Sequence, residues 1–119
     1  MGVYEQTTRG IRVCVAPNYL ENQSDPDDGR FVWSYTVSID NDSADTVRLC
    51  TRHWRIIDAE GSIEEVAGDG VVGKQPVIHP GERFEYTSGA PLGTPSGLMH
   101  GSYGMETSGG EFFDVEIPA

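Results

Sequence analysis

Phe31-Val32-Trp33-Ser34-Tyr35-Thr36-Val37-Ser38-Ile39 sets a large apolar side chain at every second position, with Ser34, Thr36 and Ser38 on the opposite face. A period of two belongs to a strand whose alternate residues face opposite sides of a sheet, and no helical spacing overlaps it. Burying Phe31, Trp33, Tyr35, Val37 and Ile39 would contribute about 1.5–3 kcal/mol each, so this segment is expected to be a central core strand. The same period runs outward from it. Ile11, Val13 and Val15 alternate with Arg12, Cys14 and Ala16. Val47 and Leu49 share one parity and Trp54 and Ile56 the other, a phase change that a bulge near Thr51-Arg52-His53 would reconcile. Short strands are expected around Ile63–Val66, Phe84–Ser88, Met99–Met105 and Phe112–Ile117.

Turn signals separate these runs: Asp27-Asp28-Gly29, Asn41-Asp42, Glu60-Gly61, Pro80-Gly81, Thr94-Pro95-Ser96-Gly97 and Ser108-Gly109-Gly110. Fifteen glycines and seven prolines among short strands predict an all-β fold, an antiparallel β-sandwich of seven or eight strands, in one domain over residues 1–119.

Eight Lys and Arg against nineteen Asp and Glu leave a formal charge of −11. Nucleic-acid affinity comes from cations that neutralise phosphates, so an acidic chain with no basic residue beyond Arg83 is not expected to bind nucleic acid. The charge suits solubility or a basic partner. No apolar run approaches the ~18 residues of a membrane span, and no leader pattern opens the chain. A cytoplasmic protein without membrane insertion is expected, with Cys14 and Cys50 as reduced thiols.

Gly68-Asp69-Gly70-Val71-Val72-Gly73 reads as G-x-G-x-x-G, the fingerprint that holds a pyrophosphate where a glycine turn opens onto a helix. Here Lys74-Gln75-Pro76 and then Pro80-Gly81 follow, and no helical period does. Three readings stay open. The glycines can supply positive φ in a turn. The loop can present one of two adjacent valines as a protein contact, since both cannot turn inward. A nest of backbone N–H groups at Gly68, Gly70 and Gly73, with Lys74 as point charge, can hold a nucleotide or pyrophosphate.

Four segments carry a family resemblance: Arg52-His53-Trp54-Arg55-Ile56, Gly68 through Pro76, Pro80 through Gly89, and Thr94 through Tyr103. Together they resemble the bacterial ApaG family over essentially the whole chain, with only the C-terminus looking short. The resemblance implies a fibronectin type III-like sandwich and no enzyme activity. It also implies an association with cobalt resistance and magnesium efflux, and kinship to domains of eukaryotic proteins regarded as protein-interaction modules. The expected function is therefore a non-enzymatic interaction module whose partner is another protein and whose link to divalent cations is indirect. Its contact candidates are Val71, Val72, Lys74, Gln75 and Met99, on a surface made by the Gly68–Pro76 loop and a neighbouring Thr94–Gly101 turn.

Other constellations carry less. Cys50, His53, His79 and His100 are zinc-type ligands, yet residues three apart on a strand face opposite ways, and magnesium prefers oxygen. No metal site and no cofactor is expected. Asp25-Pro26-Asp27-Asp28-Gly29 lacks the further carboxylates and distal glutamate of an EF-hand and reads as a solvated connection. There is no G-x-S-x-G elbow, Ser88 and Ser102 have no evident base, and Glu64-Glu65 face opposite ways in a strand. Trp54, Phe84, Tyr86 and Tyr103 are expected in the core or along a sheet face. Arg52 and Arg55 are expected to pair with Glu82 or Glu85 across strands.

Overall fold

The computed structural model describes residues 4–94 and 97–117. Nine strands follow one another: β1 (Tyr4–Thr8), β2 (Ile11–Tyr19), β3 (Phe31–Asn41), β4 (Val47–Asp58), β5 (Ile63–Asp69), β6 (Val77–Ile78), β7 (Arg83–Leu92), β8 (Gly97–Thr107) and β9 (Phe112–Ile117). They form two antiparallel sheets, ordered β1-β2-β3-β7 and β5-β4-β8-β9, with β6 beside the start of β4. This is the expected β-sandwich of the immunoglobulin and fibronectin type III kind. The strands that periodicity had not located are β1, whose Tyr-Glu-Gln-Thr-Thr carries no apolar alternation, and the two-residue β6. Outside the strands the described residues form turns and two three-residue 3-10 segments; the acidic Pro26–Asp28 is one, closed by an Asp25–Arg30 bridge.

Ile11, Val13, Val37, Ile39, Val47, Leu49, Tyr103, Met105 and Val115 interlock between the sheets with at most 1 % exposure. The core occupies one end of β3 only. Val37 and Ile39 are buried, but Phe31, Trp33 and Tyr35 are half-buried, so the expectation of five core side chains holds for two. Asn41 is fully buried yet satisfied: its Nδ2 donates to Asp45 O at 2.7 Å and Ile78 O at 2.9 Å, and its Oδ1 accepts from Ser43. It fastens the β3–β4 turn.

The predicted phase change in β4 is real, but the register slips between Leu49 and Thr51, at Cys50, just before the expected place. The extra residue lets Val47 and Leu49, then Trp54 and Ile56, all face inward. It also leaves the Cys50 carbonyl free of the β8 ladder. Both cysteines are unbridged and half-buried. Along one flank the sheets are drawn together: Glu116 N–H donates to Thr8 Oγ1 at 3.3 Å, and Arg9 lies 4.5 Å from the Phe113 ring centroid. On the opposite flank β5 and β7 are the outer strands, and no ladder joins them.

Candidate functional site

The glycine motif begins inside β5 and ends in a hairpin. Gly68 lies opposite Arg52, and a Cβ there would come within 3.3 Å of its guanidinium. Arg52 Nη1 donates to Asp69 O at 3.0 Å and Gly70 O at 2.8 Å, pinning the loop to β4. The freed Cys50 carbonyl accepts from Gly70 N at 2.8 Å and Gln75 Nε2 at 2.9 Å. Gly70 has φ +65°, and any Cβ on it would collide with the Lys74 carbonyl. Gly70 therefore has both a steric and a conformational reason to be glycine.

Val71 to Lys74 form a two-residue hairpin turn, with Val71 N–H to Lys74 O at 2.8 Å and Lys74 N–H to Val71 O at 2.9 Å. Its central residues, Val72 and Gly73, have φ of 44° and 78°, the type I′ pattern that favours Asn or Gly. Val71 is 1 % exposed and packs in the core, where it also lines the open space beside the turn. Val72 is 55 % exposed. Of the loop amides, those of Gly70, Val71 and Lys74 are bonded to backbone carbonyls, while Arg52 is met by loop carbonyls. Three of the loop amides are thus taken up within the fold, and the two that are not, Val72 and Gly73, sit together at the tip of the hairpin.

Between β5 and β7 the sandwich opens into a cavity of about 320 Å³. Tyr35, Trp54, Val66, Tyr86 and Met99 line it, together with the charged Arg52 and Glu64 and the turn valines Val71 and Val72. The turn expected to flank the loop does not: Gly97 pairs with Asp58 at the end of β4, while the loop leaves the sheet opposite Thr51, in the middle of that strand. The cleft is what joins Met99 to Val72. Lys74 and Gln75 are exposed beside the turn, Gln75 with its amide already committed to Cys50. Residues 95 and 96 of the Thr94–Gly101 segment lie outside the described residues.

Tyr86 lines the cleft, and its Oη lies 2.5 Å from the Oη of Tyr103, which is fully buried behind it. Burial pushes the Tyr86 phenol up to about 12, against the hydrogen bond with Tyr103 that favours its ionised form. Burial raises Tyr103 further, helped by the neighbouring Tyr86. Both stay neutral at physiological pH, so the pair offers hydrogen bonding and no base.

The other sequence candidates scatter. His53 and His100 sit on the outer face of the second sheet, His79 Nδ1 is 3.2 Å from Thr46 Oγ1, and no group of three potential metal ligands exists among the described residues. Arg55 pairs with Glu65 at 2.8 Å, not with Glu82 or Glu85, and Arg52 takes carbonyls instead of a carboxylate. Glu82 accepts from His79 N and Glu85 from Ser38 Oγ. Asp40 is a carboxylate the sequence did not single out. Burial raises its pKa, but Arg83 at 2.7 Å and Arg12 at 3.3 Å outweigh that and hold it below the usual range. Glu64 and Val66 were also missed as cleft residues; their shared parity with Gly68 was the available signal.

The chain covers most of several known proteins. It is 60 % identical over 117 residues to the Protein ApaG of Rhodospirillum centenum, covering 98 % of this chain and 90 % of that one. The corresponding protein of Parvibaculum lavamentivorans is 56 % identical over the same length, with the same coverage. A crystal structure of a Bordetella pertussis protein described as ApaA superposes with a TM-score of 0.88 at 47 % identity, covering 90 % of this chain and 87 % of that one. The ApaG domain family matches residues 21–107. The chain belongs to the ApaG family.

Proposed function

We propose that this chain is a non-enzymatic protein-interaction module that meets its partner through the Val72 turn, Lys74 and the cleft beside them. One observation carries the reading: Val72 is exposed and held at φ 44°. A β-branched residue in the left-handed region is costly, and such outliers persist where a site uses them. Folding alone gains little from an exposed valine at a turn position that asparagine fills better. The cleft supports the same surface, since its wall mixes aromatic and aliphatic side chains with Arg52 and Glu64, a blend suited to recognition. The charge of −11, and the use of the Gly70, Val71 and Lys74 amides within the fold, weigh against the nucleotide alternative. Any tie to cobalt resistance or magnesium efflux then runs through the partner and not through a bound ion.

The test is capture from a bacterial lysate on immobilised chain, alongside a Val72→Asp/Lys74→Glu variant of unchanged thermal midpoint. A protein retained by the natural chain and lost by the variant is the expected result. Identical retained sets in identical yield would sink the proposal.

A further inference from the structure

The open flank is bounded by two free strand edges, and they differ. In the β4–β5 ladder, Asp58 N–H bonds Ser62 O at 3.0 Å and Gly70 N–H bonds Cys50 O at 2.8 Å. Antiparallel alternation between those points turns the backbone groups of Glu64, Val66 and Gly68 toward β4, and those of Ile63, Glu65 and Ala67 outward. In the β3–β7 ladder, Asn41 N–H bonds Glu82 O at 3.0 Å, so the same alternation points Glu85, Thr87, Gly89 and Pro91 outward. Proline has no N–H, and β7 is interrupted as a template at Pro91. β5, Ile-Glu-Glu-Val-Ala-Gly-Asp, has neither proline nor lysine among its seven residues. Its row of outward donors and acceptors is complete, the arrangement most open to pairing with another strand.

Two properties define what would pair there. A strand added to β5 alternates its side chains, so every second one faces the cavity between Val66 and Tyr86. The edge itself is acidic but its carboxylates divide between faces: exposed Glu64 looks toward the cleft, where Arg52 also lies, while exposed Glu65 and Asp69 lie on the outer face, and among the described residues only Glu65 of these has an ion-pair partner, Arg55. A second copy of β5 would set carboxylate against carboxylate, which disfavours self-pairing. A basic strand meets no such repulsion.

We infer that the free edge of β5 accepts an extended segment of a partner protein as an added strand, with alternate apolar side chains in the cleft and Lys or Arg between them on the outer face, beside Glu65 and Asp69. Main-chain hydrogen bonds supply affinity in this mode and the pocket for alternate side chains supplies specificity. The inference rests on the interaction reading above and names the chemistry of its partner.

A phage-displayed library of random peptides long enough to span β5 is panned on the immobilised full chain, and enriched peptides are synthesised for calorimetry and amide NMR. Enriched sequences are expected to alternate apolar residues with Lys or Arg, and to protect the Ile63, Glu65 and Ala67 amides from exchange. Ala67→Pro removes an outward N–H that the β4 ladder does not use, and should weaken binding by about tenfold or more, a loss of about 1.4 kcal/mol. Asp69→Lys, on the face of the Lys and Arg positions, should weaken binding comparably, and it decides the matter if Ala67→Pro disturbs β5. Val72→Asn should weaken it less than either. Peptides that shift only the Val72 and Lys74 amides and ignore Ala67→Pro and Asp69→Lys would overturn strand addition and leave the interaction reading standing. No enrichment, or binding indifferent to all three substitutions, would overturn both.

Discussion

Val71 and Val72 are chemically identical neighbours that the structure assigns opposite energetics, and replacing each separately measures the difference. Val71 is 1 % exposed. Val71→Ala deletes two buried carbons, about 1.6 kcal/mol of transfer free energy at ~0.8 per carbon, and the residual cavity brings the loss to about 2–3 kcal/mol. With a urea m-value of about 1–3 kcal/mol/M, the unfolding midpoint should fall by roughly 1 M. Val72 sits at φ 44° and is 55 % exposed. Val72→Asn relieves about 1–2 kcal/mol of left-handed backbone strain and forfeits no more than about 1 kcal/mol of partial burial. Stability should hold or rise by up to about 1 kcal/mol. Urea titration followed by tryptophan fluorescence reads both, since Trp54 lies in the same core cluster as Val71. A Val71→Ala loss below about 0.5 kcal/mol, or a Val72→Asn loss above about 1 kcal/mol, would refute the assignment of one valine to the core and the other to the surface.

The glycine motif offers a second contrast: Gly70→Ala, forced against the Lys74 carbonyl at φ +65°, should lose more than about 2 kcal/mol, while Gly73→Asn, in open space at φ +78°, should lose less than about 1 kcal/mol. Equal losses in thermal denaturation would mean the hairpin is wrongly described. Tyr86, raised to about 12, predicts an alkaline limit: its stabilising contribution is complete below the unfolded phenol pKa near 10 and disappears as pH rises to about 12. Urea midpoints measured across that window should fall for the natural chain, and fall less for Tyr86→Phe; parallel curves would remove the argument.

The period-two runs were enough to locate seven strands, because each residue's facing in a strand follows from local backbone geometry. Glycine and proline punctuation located the turns, and the proline-rich segment after Gly73 was sufficient to remove the helix that a dinucleotide site needs. Adjacent valines at 71 and 72 implied that one must face out. Which one did depended on the type I′ turn, whose geometry is set by the register of Val71 against Lys74. The ion pairs were misassigned for a similar reason: Arg55 meets Glu65 because β5 pairs with β4, and periodicity contains no information on which strands are neighbours. The cleft was equally invisible. It exists because the two sheets are drawn together at β1 and β9 and left unjoined at β5 and β7, so side chains of one parity end as core near Ile39 and as cavity wall near Tyr35. Seven of the nine strands, the turns between them and the charge are properties of neighbouring residues and were legible in the sequence alone. The open edge and the valine beside it arise from pairings between distant segments, and only the tertiary structure decided them.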